Sequence, residues 1–213
     1  MTAKKYAFIW DLDGTLADSY PAIVPAVRDC LAAQGLELSE REIYAGVIAT
    51  AAGTFLAQTA ARYGLDEARL KSEFAALNDS RIEAIAAMPH AAETLETLER
   101  AGCRHFLFTH RGASCRPILE RIGLLPFFTE LVTALEGFLR KPEPDAIRYL
   151  LGKYALEPET CFYVGDRRID VEAAVNAGIG SILFLPPGSP GAPTGRESLL
   201  VRDLREIPAQ ILP

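Results

Sequence analysis

The sequence has no surplus of positive charge and no long hydrophobic run. Lys and Arg number 22 against 28 Asp and Glu, which gives a formal net charge of -6 and a pI near 5.2. A nucleic-acid-binding protein needs surplus cations to neutralise phosphates, so this class is disfavoured. The first apolar run, residues 6–10, stops at Asp11 and is too short for a signal-peptide core or a membrane span. We therefore expect a cytoplasmic protein with no nucleic-acid and no membrane partner.

Cysteine is scarce as well. The four cysteines form no CxxC pair and have no metal-ligand spacing, so we expect them to be small core residues in a reduced protein. Hydrophobic residues make up 49% of the chain, which is enough apolar material for a core. A length of 213 residues fits one domain, or one domain with a small insertion.

Five short apolar segments have the composition of buried strands. Each is rich in β-branched or aromatic residues and ends at a polar residue or a glycine. The segments are residues 6–10, 105–108, 130–133, 161–164 and 181–185. Helix-like stretches separate most of them, such as residues 89–101, which end before Gly102. This alternation predicts an α/β fold, with a Rossmann-like, doubly wound parallel sheet covered by helices on both faces.

A helical segment interrupts the alternation after the first strand. It is far longer than one crossover helix requires. The helical patterns cover residues 20–34, 40–48, 53–63 and 66–85. We expect a small helical-bundle domain at 16–88, inserted into a core formed by 1–15 and 89–213. The tail adds a Pro- and Gly-rich loop at 186–195 and a short closing strand or helix within 199–211.

Polar side chains follow four of the predicted strands, where an open parallel sheet binds its ligands. Asp11 and Asp13, in DLDGT, follow the first strand. Carboxylates two positions apart project to the same side, which is unfavourable without a cation or a shared proton. Thr109 follows the second strand and precedes a helical stretch, a natural cradle for phosphate.

The next two strands are followed by a lysine and a second acid pair. Lys141 lies in the loop RKPEP, and Asp166 and Asp170 lie in GDRRID, where they share a face if a helix begins near Arg167. Taken singly, these patterns are also typical of a turn, of helix N-caps and of a solvated lysine. Their order favours one shared site, because a single crevice gathers the ends of parallel strands.

In this order the motifs resemble those of the haloacid dehalogenase superfamily, in the branch that includes phosphoglycolate phosphatases and β-phosphoglucomutases. The resemblance covers essentially the whole chain. It rests on DLDGT at 11–15, Thr109 in FLFTHRG, Lys141 in RKPEP and GDRRID at 165–170. It implies a Mg²⁺-dependent phosphatase that hydrolyses a small phosphorylated metabolite.

The resemblance also implies roles for the residues around the phosphoryl group. Asp11 is the expected nucleophile, which forms an aspartyl phosphate, and Asp13 is the expected general acid and then base. An acid at position 13 fits the hydrolysis of a phosphate ester. Thr109, His110 and Lys141 are expected to bind the phosphoryl group, and Lys141 would also neutralise Asp11.

A Mg²⁺ site is implied beside them. Asp11, the backbone carbonyl of Asp13, and Asp166 are the expected ligands. Asp170 is expected to steady the site, either as an outer-shell ligand or by bonding Lys141.

Two positions depart from the family pattern. His110-Arg111 stand where an asparagine-containing turn is common, and Arg167 stands where a small hydroxyl residue or asparagine is common. Two arginines and a histidine near the crevice would add positive charge that helps to hold an anion. Alternatively, they form salt bridges with surface acids.

By analogy, the segment 44–55, YAGVIATAAGTF, would contact the leaving group in a cap formed by the inserted helices. Tyr44, Thr50 and Thr54 are the candidate specificity residues. The segment contains no Lys or Arg, so we expect a neutral or weakly polar leaving group rather than phosphoglycolate. A phosphosugar mutase of the β-phosphoglucomutase type is the main alternative, and a non-catalytic phosphate-binding protein is a weaker one. We expect a monomer or a weak homodimer.

Overall fold

The chain divides into two compact units in a computed structural model that describes residues 5–212. One unit comprises Met1–Ala17 and Ala87–Pro213, and the other is Asp18–Ala86. Residues 1–4 and 213 of the predicted core lie outside the described residues.

The first unit is built on a six-stranded parallel sheet. Its strands are β1 (Ala7–Trp10), β4 (Arg104–Phe108), β5 (Phe128–Val132), β6 (Cys161–Gly165), β7 (Gly180–Phe184) and β8 (Leu199–Val201). Two further short strands, β2 (Ala17–Asp18) and β3 (Ala86–Ala87), lie between β1 and β4 in the sequence and do not belong to this sheet. The sheet has the order β5-β4-β1-β6-β7-β8, and every neighbouring pair is parallel. The short β2 and β3 pair with each other where the chain passes between the units. The predicted Rossmann-like α/β fold is confirmed.

The helices of the first unit cover its sheet. They are α5 (Ala91–Arg100), α6 (Cys115–Arg121), α7 (Asp145–Tyr154), α8 (Arg168–Ala177) and α9 (Glu206–Ile211). The helices α1 to α4 precede them in the chain and belong to the second unit. Leu150 of α7 and Ala173 of α8 join Ile9, Phe106 and Tyr163 in one buried cluster. The opposite face of β1 presents Phe8 and Trp10. Burial on both faces explains why β1 reads as an unbroken apolar run.

The second unit is a small bundle of four helices. These are α1 (Tyr20–Ala32), α2 (Glu40–Ala49), α3 (Ala52–Tyr63) and α4 (Glu67–Ser80). Its core brings together one apolar stripe from each helix, including Val27, Ile43, Leu56 and Leu70. Ser39 starts α2 with a capping box, in which its hydroxyl accepts from the Glu42 backbone N–H at 3.3 Å.

Two predicted helices are shorter in the structure. The helix predicted over 66–85 ends at Ser80 and is followed by a 3₁₀ turn, Ile82–Ala84. Asn78, Asp79 and Ser80 are weak helix formers, because their side chains compete for backbone hydrogen bonds. The helix predicted over 20–34 ends at Ala32, and Gly35 then adopts a φ of 80° that turns the chain.

The pattern of residues 199–211 is compatible with a strand or a helix, and the structure contains one of each. β8 adds an edge strand to the sheet, and α9 follows it. All four cysteines are buried and free, as expected of core residues.

No single helix within residues 5–212 has the length and apolar composition needed to cross a membrane. Only α2 and α3 taken together pass that test by length and composition, and they meet at an angle of 114°.

His105 is a buried titratable group in the middle of the sheet. The indole Nε1 of Trp10 donates a hydrogen bond to its Nδ1 at 3.1 Å, and its ring stacks on Phe8 with 6.0 Å between centroids. Burial lowers the pKa of His105 to about 4. Its imidazole is therefore neutral in the folded protein near neutral pH, with the proton on Nε2.

Acid should destabilise the fold through His105. Because its pKa falls from 6.5 to about 4 on folding, the unfolded chain takes up the proton first. This group's contribution is complete above pH 6.5 and is lost as the pH falls towards 4, which amounts to about 3 kcal/mol. Urea unfolding of His105→Gln, followed between about pH 7 and 4.5, should show a shallower loss of stability than the parent chain.

An exposed position without a titratable group supplies the control for this measurement. Gln58→Asn changes such a side chain on α3 and should leave the slope of stability against pH unchanged. If stability falls equally steeply with decreasing pH in His105→Gln and in the parent chain, the loss of stability in acid does not come from His105.

Candidate active site

The candidate residues gather at the carboxyl ends of neighbouring parallel strands. The Asp11 N–H donates to the Val164 carbonyl at 2.8 Å, which extends the β1–β6 ladder by one residue. The Thr109 N–H donates to the Val132 carbonyl at 3.0 Å and does the same for β4 and β5. The side chains that follow these strands therefore start from one edge of the sheet.

Three carboxylates are buried together at this edge. Oxygens of Asp11, Asp166 and Asp170 all lie within 4.8 Å of one another. The Thr15 hydroxyl donates to Asp166 Oδ1 at 3.4 Å. Buried like charges need a cation, and carboxylate oxygens are the ligands that a hard divalent ion such as Mg²⁺ prefers. The donor set therefore fits the implied metal.

Lys141 lies among these acids. Its Nζ forms ion pairs with Asp11 Oδ1 at 2.9 Å and with Asp170 Oδ1 at 2.6 Å. It also donates to the Tyr163 hydroxyl at 2.9 Å, and that hydroxyl donates to the Phe108 carbonyl at 2.6 Å. The ammonium group is completely buried, and its hydrogen bond to the Tyr163 hydroxyl helps to orient it.

Arg167 contacts the same acids through their other oxygens. Its Nη2 lies 3.1 Å from Asp11 Oδ2, and its Nε lies 3.7 Å from Asp166 Oδ1 and 3.8 Å from Asp170 Oδ2. The side chain is only 8% exposed. Of the two alternatives for the arginines, pairing with surface acids is wrong for Arg167, because its partners are the buried acids of the site. The alternative that its positive charge helps to hold an anion stays a prediction.

These charges decide the protonation of the two fully buried acids. Burial raises the pKa of Asp11, but Lys141 and Arg167 outweigh burial and hold that pKa below its ordinary value. Burial also raises the pKa of Asp170, where Lys141 opposes it and the neighbouring Asp11 reinforces it, so the net shift is upward. Asp11 is therefore the acid that the site keeps ionised most firmly.

Asp13 is held by a second arginine. Arg111 Nη2 donates to Asp13 Oδ1 at 2.7 Å, and Arg111 Nε lies 3.0 Å and 3.1 Å from the two carboxylate oxygens. This two-pronged geometry fixes the plane of the carboxylate as well as its position. Gly14, with a φ of 81°, turns the chain directly after Asp13.

Thr109 and His110 begin the loop after β4. The Thr109 hydroxyl accepts from the Arg111 backbone N–H at 3.2 Å, and His110 Nε2 accepts from the Lys141 backbone N–H at 2.8 Å. Burial, reinforced by Lys141, Arg140 and Arg167, lowers the pKa of His110 to about 2. The expectation of positive charge at His110 is therefore wrong. As an acceptor at Nε2, the neutral ring carries its proton on Nδ1 and offers a single donor.

Gly165 allows the second acid pair to approach the strand. A Cβ atom at this position would lie 2.4 Å from both Cβ and Cγ of Asp170. The glycine of GDRRID thus leaves the space in which Asp170 reaches Lys141. In contrast, Arg168 is 69% exposed and pairs with Glu172 on the surface of α8 at 2.7 Å.

The three candidate specificity residues all lie in the helical unit Asp18–Ala86. Tyr44 of α2 packs against Tyr20 with 5.0 Å between ring centroids. The Thr50 hydroxyl donates to the Gly46 carbonyl at 2.9 Å, and Thr54 is exposed on α3. The cationic side chains of this unit that the structure pairs include Arg28, bonded to Asp29 and Glu40, and Arg81, bonded to Asp29.

Sequence patterns missed three functional contacts. Tyr163 reads as a strand residue, and only its position beside Lys141 reveals its hydroxyl as a partner. Arg111 and Arg167 stood out as departures from the family pattern, but their pairing with Asp13 and Asp11 spans 98 and 156 residues of sequence. No local pattern reports a contact at that range.

Comparison with known proteins identifies a family and several relatives. The family model described as haloacid dehalogenase-like hydrolase matches residues 8–184. Phosphoglycolate phosphatase 1 of Pseudomonas aeruginosa is 28% identical over 209 residues, covering 93% of this chain and 77% of the relative.

Solved structures agree in fold. A hydrolase from Streptococcus pneumoniae is 33% identical, with a TM-score of 0.61, covering 85% of this chain and 94% of that one. A Haemophilus somnus protein described as a predicted phosphoglycolate phosphatase has a TM-score of 0.84 at 21% identity, covering 99% of both chains. At that identity the second likeness concerns the fold alone.

Removal of the Tyr163 hydroxyl should destabilise the protein. Tyr163→Phe leaves the buried Phe108 carbonyl without its donor and takes one partner from Lys141. We expect the free energy of unfolding, measured with urea, to fall by about 1–3 kcal/mol. Tyr149→Phe removes a hydroxyl bonded to the part-buried Glu130 at 2.8 Å and should cost clearly less. If both variants lose the same free energy of unfolding, the Tyr163 hydroxyl stabilises the fold no more than the hydroxyl of Tyr149 does.

Proposed function

The chain belongs to the haloacid dehalogenase-like hydrolases, and on that premise we propose that it is a magnesium-dependent phosphatase that removes phosphate from a small metabolite. The observation that carries the proposal is the state of Asp11. This carboxylate is buried at the end of β1, lies between Lys141 and Arg167, and keeps its pKa below the ordinary value. A buried carboxylate held as an anion is a nucleophile ready to attack phosphorus.

In the first half-reaction an oxygen of Asp11 forms a bond to phosphorus as the bond to the leaving alkoxide breaks. Asp13 gives its proton to that alkoxide, and the product is an aspartyl phosphate on Asp11. Lys141 stays within ion-pair distance of Asp11 and offsets the charge of the transferring group. Thr109 and the Nδ1–H of His110 are proposed donors to the phosphoryl oxygens.

In the second half-reaction water replaces Asp11 on phosphorus. Asp13, now a carboxylate, takes a proton from that water, and the bond between phosphorus and Asp11 breaks. Arg111 keeps Asp13 fixed in orientation through two of its nitrogens, which places the carboxylate for this proton transfer. Inorganic phosphate leaves, and Asp11 returns as a free carboxylate.

Mg²⁺ would be held by Asp11, Asp166 and the backbone carbonyl of Asp13, with Asp170 behind them. When bound, it supplies positive charge that lets a phosphate dianion approach the acids. The buried, closely spaced carboxylates of the cluster support this assignment.

We also propose that the helical unit Asp18–Ala86 acts as the cap that selects the leaving group. The P. aeruginosa relative is named a phosphoglycolate phosphatase, whose substrate carries a second anionic group. In this chain residues 44–55 lack Lys and Arg, and Arg28 and Arg81 are paired with acids of their own unit. A neutral or weakly polar leaving group therefore fits this unit better.

The nucleophile assignment predicts the effect of Asp11→Asn. We expect phosphate release from p-nitrophenyl phosphate with Mg²⁺ to fall by at least about 10³-fold, because an amide cannot attack phosphorus at a useful rate. Acid quenching of the parent chain during turnover, followed by peptide mass spectrometry, should find the phosphoryl group on Asp11.

Two controls accompany this measurement. Asp145→Asn, at the exposed start of α7, should change turnover by less than about twofold, and EDTA should remove turnover from the parent chain. Substantial turnover by Asp11→Asn, or a phosphoryl group on another residue, would overturn the proposal.

The leaving-group hypothesis predicts a ranking of substrates. Esters of neutral alcohols, such as glycerol phosphate, should have kcat/KM at least about tenfold above phosphoglycolate. Thr54→Lys adds a cation to the proposed specificity segment and should raise kcat/KM for phosphoglycolate relative to the neutral esters. Gln58→Lys, on an exposed site of the same helix, is the control for added charge. A parent chain that prefers phosphoglycolate would defeat the hypothesis.

A further inference from the structure

Two cations divide the oxygens of the acid cluster between them. Lys141 Nζ takes Oδ1 of Asp11 and Oδ1 of Asp170, at 2.9 Å and 2.6 Å. The Arg167 guanidinium faces Oδ2 of both acids, at 3.1 Å and 3.8 Å, and Asp166 Oδ1 at 3.7 Å. Lys141 therefore contacts two of the three acids, and Arg167 lies near an oxygen of each of the three.

Arg167 lies near one oxygen of each of the three acids that could hold a divalent cation. Lys141 forms ion pairs with Asp11 and Asp170, whereas Arg167 approaches all three acids. The guanidinium carries a permanent charge, since arginine does not lose its proton in proteins. A guanidinium and a divalent cation placed among oxygens that lie within 4.8 Å of one another repel each other strongly, because the site is buried.

We propose that Arg167 is an internal competitor of the metal, a built-in counter-ion that compensates the acid cluster before the divalent cation binds and leaves the cluster when it does. The inference rests on the proposed function only in taking the cation to be the Mg²⁺ of that chemistry. It adds a regulatory role for Arg167, which the proposed function uses only as a counter-charge to Asp11.

The alternative is a purely structural role for Arg167 at the start of α8. The contact that starts the helix, however, uses the backbone, because the Arg167 N–H donates to Asp170 Oδ2 at 3.0 Å. Any residue other than proline keeps that hydrogen bond. Replacing the guanidinium therefore keeps the hydrogen bond that starts the helix and removes the contacts with the three acids.

Charge arithmetic gives the competition its direction. With Lys141 and Arg167 present, three carboxylates keep one uncompensated negative charge. With Arg167 withdrawn they keep two, which is the charge of one divalent cation. Metal affinity should therefore rise when the guanidinium is removed, and the stability of the metal-free protein should fall.

The test is Arg167→Gln in the full chain. Isothermal titration calorimetry with MgCl₂, after treatment with EDTA and dialysis, measures the dissociation constant directly and does not depend on turnover. We expect Arg167→Gln to bind Mg²⁺ at least about tenfold more tightly than the parent chain, a difference of about 1.4 kcal/mol.

Arg168→Gln is the matched control. It removes the same charge from the next residue, whose side chain is 69% exposed and bonded to Glu172. Its dissociation constant for Mg²⁺ should stay within about twofold of the parent value, because exposed charges are screened by solvent and salt. An equal gain in both variants would assign the effect to general electrostatics and overturn the inference, as would unchanged or weaker binding by Arg167→Gln.

Thermal melting supplies a second readout. Without metal, Arg167→Gln should melt below the parent chain, and saturating Mg²⁺ should narrow or reverse the difference. If the variant fails to fold without metal, Mg²⁺ should restore it. A variant that is destabilised equally with and without Mg²⁺, or that stays unfolded with it, would show a structural role and overturn the inference.

The outcome separates this inference from the proposed function. Phosphatase turnover that persists in EDTA, with no Mg²⁺ binding by any variant, would overturn the competition and the magnesium dependence but would leave the phosphatase activity. Tighter Mg²⁺ binding by Arg167→Gln, with no turnover of any phosphate ester by the parent chain, would support the competition and overturn the phosphatase.

Discussion

The carboxylates of Asp11, Asp166 and Asp170 are buried within 4.8 Å of one another, and such a group is stable only where cations compensate it. Much of the surrounding structure serves this requirement. The loop after β5 brings Lys141 back to the sheet edge, Tyr163 orients its ammonium group, and Gly165 leaves room for Asp170. The loop after β6 adds the second cation. Lys141 and Arg167 thus compensate most of the buried negative charge at this edge of the parallel sheet.

Lys141 and Arg167 differ in how their positive charge could be removed from the acid cluster. Lys141 is completely buried and bonded on several sides, so its charge stays where it is. Arg167 cannot lose its proton, and its charge leaves the cluster only if the side chain moves. Arg111 is assigned to Asp13, outside the cluster. The proposed role of Arg167 is therefore a movement of its side chain and not a change of its protonation, which connects that role to the proposed metal dependence.

The fold was largely readable from the chain. Buried parallel strands are continuous apolar runs, so β1, β4, β6 and β7 stand out, and the helical excess after β1 reveals the insertion. The pattern was less informative where elements are short or half-exposed. The tail residues that form β8 are only partly apolar and partly buried, and the end of α4 depends on weak helix formers whose behaviour is decided by their neighbours.

By itself the sequence determined the α/β alternation, the helical insertion and the order in which two acid pairs, a threonine and a lysine follow the strands. These features are local, because each depends on residues within one strand or one turn. Only the tertiary structure decided that Arg167 faces Asp11, that Arg111 clasps Asp13, that His110 is neutral, and that Tyr163 supports Lys141. The physical reason is distance along the chain. Partners such as Arg167 and Asp11 are 156 residues apart, and they meet only because the strand order β5-β4-β1-β6-β7-β8 places β6 beside β1.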